Sequence, residues 1–346
     1  MRLAKPLLLS LVFGVLGLGA ALLFGKPADL KTIFTLSSAA LLWSTLLLGL
    51  SFVCGGLRIQ LLARTLTYNL QLLSAIRSHI LGAFSAAVTP SGSGNALAIA
   101  LMLRRDGLTQ AHAWSVALYT SVIDLLFYAW FAPASLLTLY LSRRLPGGSW
   151  LLAGGLLASA LFLGLWYLLV FHLAVVPPLV HRVFSWRPLE RFKARAESFT
   201  DGLTATVARL SGATRLQHAL LQLLSVGVHV GVFAIFLVVA ADLELNLPAL
   251  PTLAVLFLVF AASHVVPTPG GSGFFELSLP LLLSPGNPAA AAPAVIVWRL
   301  IAFYSSFLLG PPLGGAALAK RLGPQAPDGV ESESAPEGAV KIDKGD

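Results

Sequence analysis

The chain has 346 residues, of which 57% are hydrophobic and 11% charged, and its mean hydropathy is +0.83. Soluble domains carry about 25% charged residues, so composition excludes an ordinary soluble fold and predicts an all-α polytopic integral membrane protein. The net charge of +8 does not point to nucleic acid, because the basic residues sit at the ends of apolar spans, where they mark the cytoplasmic side of short loops. Cys54 is alone, which excludes a disulfide within a monomer. The seven His are scattered without HExxH or CxxC spacing, so neither a metal nor another cofactor is expected.

In chain order, Arg2 and Lys5 precede an apolar run over 7–24, read as a retained first helix leaving the cytoplasm. A second span over 33–57 returns to Arg58 and Arg64. The segment 72–103 is interrupted: its arms, 72–88 and 95–103, are short for about 30 Å of hydrocarbon. Arg77 before it and Arg104-Arg105 after it put both ends on the cytoplasmic side, which predicts a re-entrant hairpin, with two complete short helices as the alternative. A long span over 113–141 contains Asp124 and an expected kink at Pro133. Arg143-Arg144 then fall outside, against the charge rule.

The span 150–176 leads back into a basic loop. Within it, Leu189, Phe192, Ala196, Phe199, Leu203, Val207 and Leu210 make one apolar stripe of an amphipathic helix over 188–212. That helix lies on anionic lipid or packs on the protein's own cytoplasmic face. A span over 218–241 runs outward to Asp242 and Glu244, 253–283 is a second interrupted segment, and 292–319 returns to Lys320. The remainder, 321–346, is rich in Pro, Gly, Ser and acid and is read as a disordered tail. The expectation is a membrane domain over 1–320 with about eight hydrophobic segments, six full spans plus two re-entrant hairpins. Its termini are cytoplasmic and it lies in the cell membrane. Its halves, about 1–145 and 146–320, form a possible inverted repeat whose hairpins enter from opposite faces.

The two interruptions share a sequence. Thr89, Pro90, Ser91, Gly92, Ser93 and Gly94 match Thr268, Pro269, Gly270, Gly271, Ser272 and Gly273 at five of six positions. Pro and Gly break helices, and broken backbone is tolerated at membrane depth only against protein or a water-filled cavity. Paired interruptions in corresponding positions of two halves point to a binding site at their interface; the bland alternative is two loops with similar turn residues. Converging N–H groups and helix N-termini favour an anion such as a phosphate. Ser91, Ser93, Asn95, Thr268 and Ser272 could add neutral hydrogen bonds, or Ser93 and Ser272 simply cap their helices. Asp124, Glu276 and Arg299 fall inside apolar segments, where a charge needs a partner. Glu276 and Arg299 are the preferred pair, Glu276 doubles as a capping-box acid, and Arg58 snorkels at a span end or joins the site. His79 and His264 precede the motifs at unequal spacing, which argues against a shared proton relay.

At these motifs the chain resembles the membrane region of the lysylphosphatidylglycerol synthase and flippase-like family, over nearly all of its length to about Lys320. The resemblance rests on the first motif with Leu103-Arg104-Arg105-Asp106-Gly107-Leu108-Thr109, on Asp124, on 267–276 (PTPGGSGFFE), and on Arg299. Many relatives carry Gly-Glu where this chain has Gly94-Asn95. The resemblance implies movement of lipids or lipid-linked molecules between leaflets, with membrane lipids as partners, an anionic headgroup favoured, and envelope-biosynthesis proteins as further candidates. Bifunctional relatives add a large soluble aminoacyl-transferase domain. The tail after Lys320 is too short and too poor in apolar residues to form one, so enzyme activity is not expected to carry over. An aminoacyl-phospholipid synthase and a non-transporting scaffold of an envelope complex are the alternative readings.

Overall fold

The computed structural model describes residues 35–89, 92–144, 148–171, 214–264 and 268–315, together with 182, 204, 208, 212 and 266. The expected first span, the amphipathic helix over 188–212, the tail over 321–346, and Pro90 and Ser91 of the first motif lie outside the described residues. Every regular element among those described is a helix: α1 Ser38–Thr65, α2 Leu72–Val88, α3 Gly94–Arg105, α4 Gln110–Leu141, α5 Ser149–Phe171, α6 Arg215–Asp242, α7 Ala249–Ser263, α8 Phe274–Leu283, α9 Pro288–Ala302 and α10 Ser305–Gly310.

Among the described residues, four stretches are long and apolar enough to cross a membrane: α1, α4, α6 and the run Pro288–Gly314 that begins with α9. The 23-residue α5 is a further apolar helix. The long helices start on local signals that spare their first N–H groups. The Ser37 hydroxyl accepts from Ala40 N at the head of α1, and Thr109 accepts from His112 N at the head of α4. Thr214 and Gln217 form a reciprocal capping box on α6. α4 runs as one helix through Pro133.

α1 and α6 pack antiparallel along their length. Ser37 N donates to Asp242 Oδ2 at 2.8 Å, Ser51 Oγ donates to Val228 O at 2.8 Å, and Arg58 Nη1 donates to Ser225 Oγ at 2.8 Å. The head of α1 therefore lies beside the tail of α6, and the reverse holds at the other end. That geometry fixes how the short helices enter. α2 follows the Thr65 end of α1, whereas α7 follows the Asp242 end of α6, so the pairs α2–α3 and α7–α8 come in from opposite ends. At 1.5 Å per residue their arms of 17, 12, 15 and 10 residues reach about 15 to 26 Å. Each is shorter than the hydrocarbon core is thick.

Two boundaries differ from the sequence expectation. α1 runs to Thr65 rather than ending at 57, so Arg58 stands seven residues inside the helix and does not snorkel. The last span begins at Pro288 and breaks after Ala302, where both Phe303 N and Tyr304 N bond to Arg299 O, before α10 and a π-turn over Pro311–Gly315 continue it. One apolar core joins α6, α7, α8 and α9 around Phe127 of α4, and a second joins α1, α3 and α4 around Leu221. Each hairpin is thus wedged into its own core.

Candidate functional site

The first tip is held by one hydroxyl. Thr89 Oγ1 donates to Ser85 O at 2.7 Å and accepts from Gly94 N at 2.8 Å, stitching the last turn of α2 to the first N–H of α3. Ser93 is exposed and makes no capping bond. The cap expected of Ser93 therefore belongs to Thr89, whose extended backbone after α2 aims its side chain back across the turn. Gly92 has φ +68°, a conformation that costs a side-chain-bearing residue about 1–2 kcal/mol.

The second tip is held by charge. Gly270, Gly271 and Gly273 all have positive φ, at +57°, +65° and +85°, which fold the chain tightly enough for one guanidinium to reach three parts of it. Arg299 Nε donates to Glu276 Oε1 at 3.0 Å, Nη1 to Gly270 O at 3.2 Å and Nη2 to Ser272 Oγ at 3.3 Å. The other oxygen of Glu276 accepts from Gly273 N at 2.8 Å and so caps α8, a role that Ser272 does not take because its hydroxyl faces Arg299. Arg299 and Glu276 are 4% and 2% exposed. Phe303, placed by the break in the last span, lays its ring 3.9 Å from the Arg299 guanidinium carbon.

The tips meet. A Cβ built on Gly270 would stand 3.3 Å from Ala87 O, at the end of α2. Between them lies a cavity of about 480 Å³ lined by Gly92, Ser93, Asn95, Gly270, Gly271, Arg299, Arg58 and Asp124. That volume is within the usual range of small-ligand sites. Thr268 Oγ1 is buried without a partner among the described residues, and its carbonyl accepts from Gly271 N in the turn that also contains Pro269.

Arg58 and Asp124 form a second ion pair that the sequence reading did not foresee. Arg58 Nη1 bonds to Asp124 Oδ1 and to Ser225 Oγ, and Nη2 reaches Asp124 Oδ2 at 3.2 Å. Arg58 is 3% exposed and Asp124 19%. Two further residues of the wall, Tyr128 and His229, were also missed. Tyr128, one turn along α4 from Asp124, hydrogen-bonds His229 Nε2 at 3.2 Å, and His229 Nδ1 donates to Ser225 O at 2.9 Å. The spacing of Asp124 and Tyr128 was the available signal, since residues four apart share a helix face. His79 and His264 both line the cavity despite their unequal distances from the motifs. Among the described residues no group of His, Cys, Asp and Glu could hold a metal ion.

A family model described as "Lysylphosphatidylglycerol synthase TM region" matches residues 7–310. No curated protein matches the chain.

Proposed function

The chain belongs to the lysylphosphatidylglycerol synthase TM-region family, and from that premise we propose that it translocates a phospholipid or lipid-linked substrate between the leaflets of the cell membrane. The observation that carries this reading is the meeting of two short-armed hairpins, entered from opposite ends, at one cavity whose wall holds Arg58, Asp124 and Arg299. A headgroup crossing hydrocarbon must find replacements for its lost hydration. Here backbone turns, hydroxyls and a guanidinium–carboxylate pair line the cavity, while the apolar outer faces of the helices suit acyl or polyprenyl chains. Arg64, Arg104, Arg105 and Arg215 cluster at one end of the bundle, which supports a cytoplasmic position for that end.

Purified protein in liposomes of defined lipid, assayed for leaflet exchange of labelled phospholipids, tests the reading. Exchange above the protein-free rate is expected, slowed by Gly94→Ala, whose Cβ would press on the Ser85 carbonyl and the Thr89 methyl at 2.9 Å. Protein-free rates for every lipid tried would overturn translocation and favour the scaffold reading. Release of an aminoacylated lipid on addition of an aminoacyl donor would favour the synthase reading.

A further inference from the structure

The two arginines of the cavity are not equivalent. Each of the three nitrogens of Arg299 is engaged, with Glu276, Gly270 O and Ser272, and Phe303 covers its face. Glu276 likewise spends one oxygen on Arg299 and the other on Gly273 N. That pair builds the second tip, and its carboxylate is not among the residues that line the cavity. Arg58 has a buried Nε without a hydrogen-bond partner among the described residues. Its counter-ion Asp124 is the one carboxylate that lines the cavity among the described residues.

We propose that the Arg58–Asp124 pair is the headgroup subsite and that it takes a headgroup bearing one phosphate and one ammonium, the phosphate on Arg58 and the ammonium on Asp124. The inference rests on the translocation reading above and names its substrate class. It follows from charge counting in a low-dielectric site. A headgroup carrying only a phosphate would pull Arg58 from Asp124 and leave the carboxylate beside a second anion. A headgroup carrying only an ammonium would strand Arg58 in the same way. Breaking a buried pair without replacing both partners is strongly unfavourable. A headgroup with both charges converts one pair into two.

A further observation fits an ammonium on the Asp124 side. Tyr128, one turn along α4 from Asp124, lines the cavity with Phe260 and His264, whose rings stand 6.3 and 5.3 Å from its own. Aromatic faces attract ammonium groups.

Two measurements on the full chain test this. In detergent, phosphoethanolamine should raise the melting temperature more than inorganic phosphate or ethanolamine at equal concentration. In liposomes, a labelled lipid with a phosphoethanolamine headgroup should exchange faster than one with a phosphoglycerol headgroup, on the order of tenfold, since juxtaposed like charges are strongly disfavoured. Asp124→Asn should narrow or reverse that preference, a change that a merely structural carboxylate would not produce; if this variant fails to fold, the wild-type comparison still decides. Equal or faster exchange of the phosphoglycerol lipid, or stabilisation by inorganic phosphate alone, overturns the inference and leaves translocation standing. Stabilisation by phosphoethanolamine with no exchange of any lipid supports the subsite and overturns translocation instead.

Discussion

Arg58 and Arg299 are the same side chain in the same cavity wall, and their surroundings give them different work. Arg299 is a staple of the second tip, so its loss should be felt as instability. Arg299→Met strands Glu276 at 2% exposure, and removing one partner of a buried pair typically costs about 3–5 kcal/mol. Adding Glu276→Gln to that variant removes the stranded charge while an amide oxygen remains to cap Gly273 N. The double variant should therefore melt above Arg299→Met in detergent, and additive losses would show that the pair is not coupled. This pair was legible in the sequence because both residues lie deep in apolar segments of one half, and Glu276 sits three residues after Gly273 in capping position. The Arg58–Asp124 pair was not. Arg58, Gln60 and Arg64 end the hydropathic run, so the span looks finished at 57. In the fold Arg58 is neutralised by Asp124 and Gln60 Nε2 donates to Leu70 O at 2.8 Å. Polar groups satisfied from other elements let the helix continue, and a reading along one segment cannot see those partners.

At the scale of elements, close approach of α1 and α6 is what sets the hairpins facing each other. Gly231 marks the contact: a Cβ there would meet Leu47 O at 3.1 Å and Ser51 Cβ at 3.4 Å. Small residues that bring backbones together are the usual means of helix association in lipid. Gly231→Leu should overpack this seam and cost about 1–3 kcal/mol, visible as a lower melting temperature. Gly49→Ala, on α1 with nothing within 4 Å of the new methyl, should be neutral or gain up to about 1 kcal/mol of helix propensity. Equal losses in both would mean that the seam is not tight. The hairpins themselves were legible, since Pro and several Gly close together in an apolar run announce a break, whereas the single Pro133 leaves α4 one helix. The break at Phe303 was not, because 299–306 (RLIAFYSS) contains no Pro or Gly. It arises where the chain must turn Phe303 onto Arg299 and against Gly270, a tertiary demand with no local signature.

Over the whole molecule, the antiparallel pairing of α1 with α6 puts Ser37 and Asp242 at one end and Arg64 and Arg215 at the other. In a Cys54→Ala background, a single Cys at Asp242 should react with an impermeant maleimide added outside sealed cells. A single Cys at Arg215 should react only after lysis. Labelling of both from outside would refute the assigned orientation. Around the cavity, Arg58 balances Asp124 and Arg299 balances Glu276, so the four charged side chains sum to zero. An electric field across the membrane acts on moving charge, worth about 2.3 kcal/mol per elementary charge per 100 mV. For the proposed translocation, an empty site whose charges cancel gives that voltage no handle, and its return between the two faces would be electrically silent. With a headgroup of one phosphate and one ammonium the loaded step is silent as well. The membrane potential then cannot bias either direction, and the distribution of lipid between leaflets is left to whatever makes or consumes it on each side.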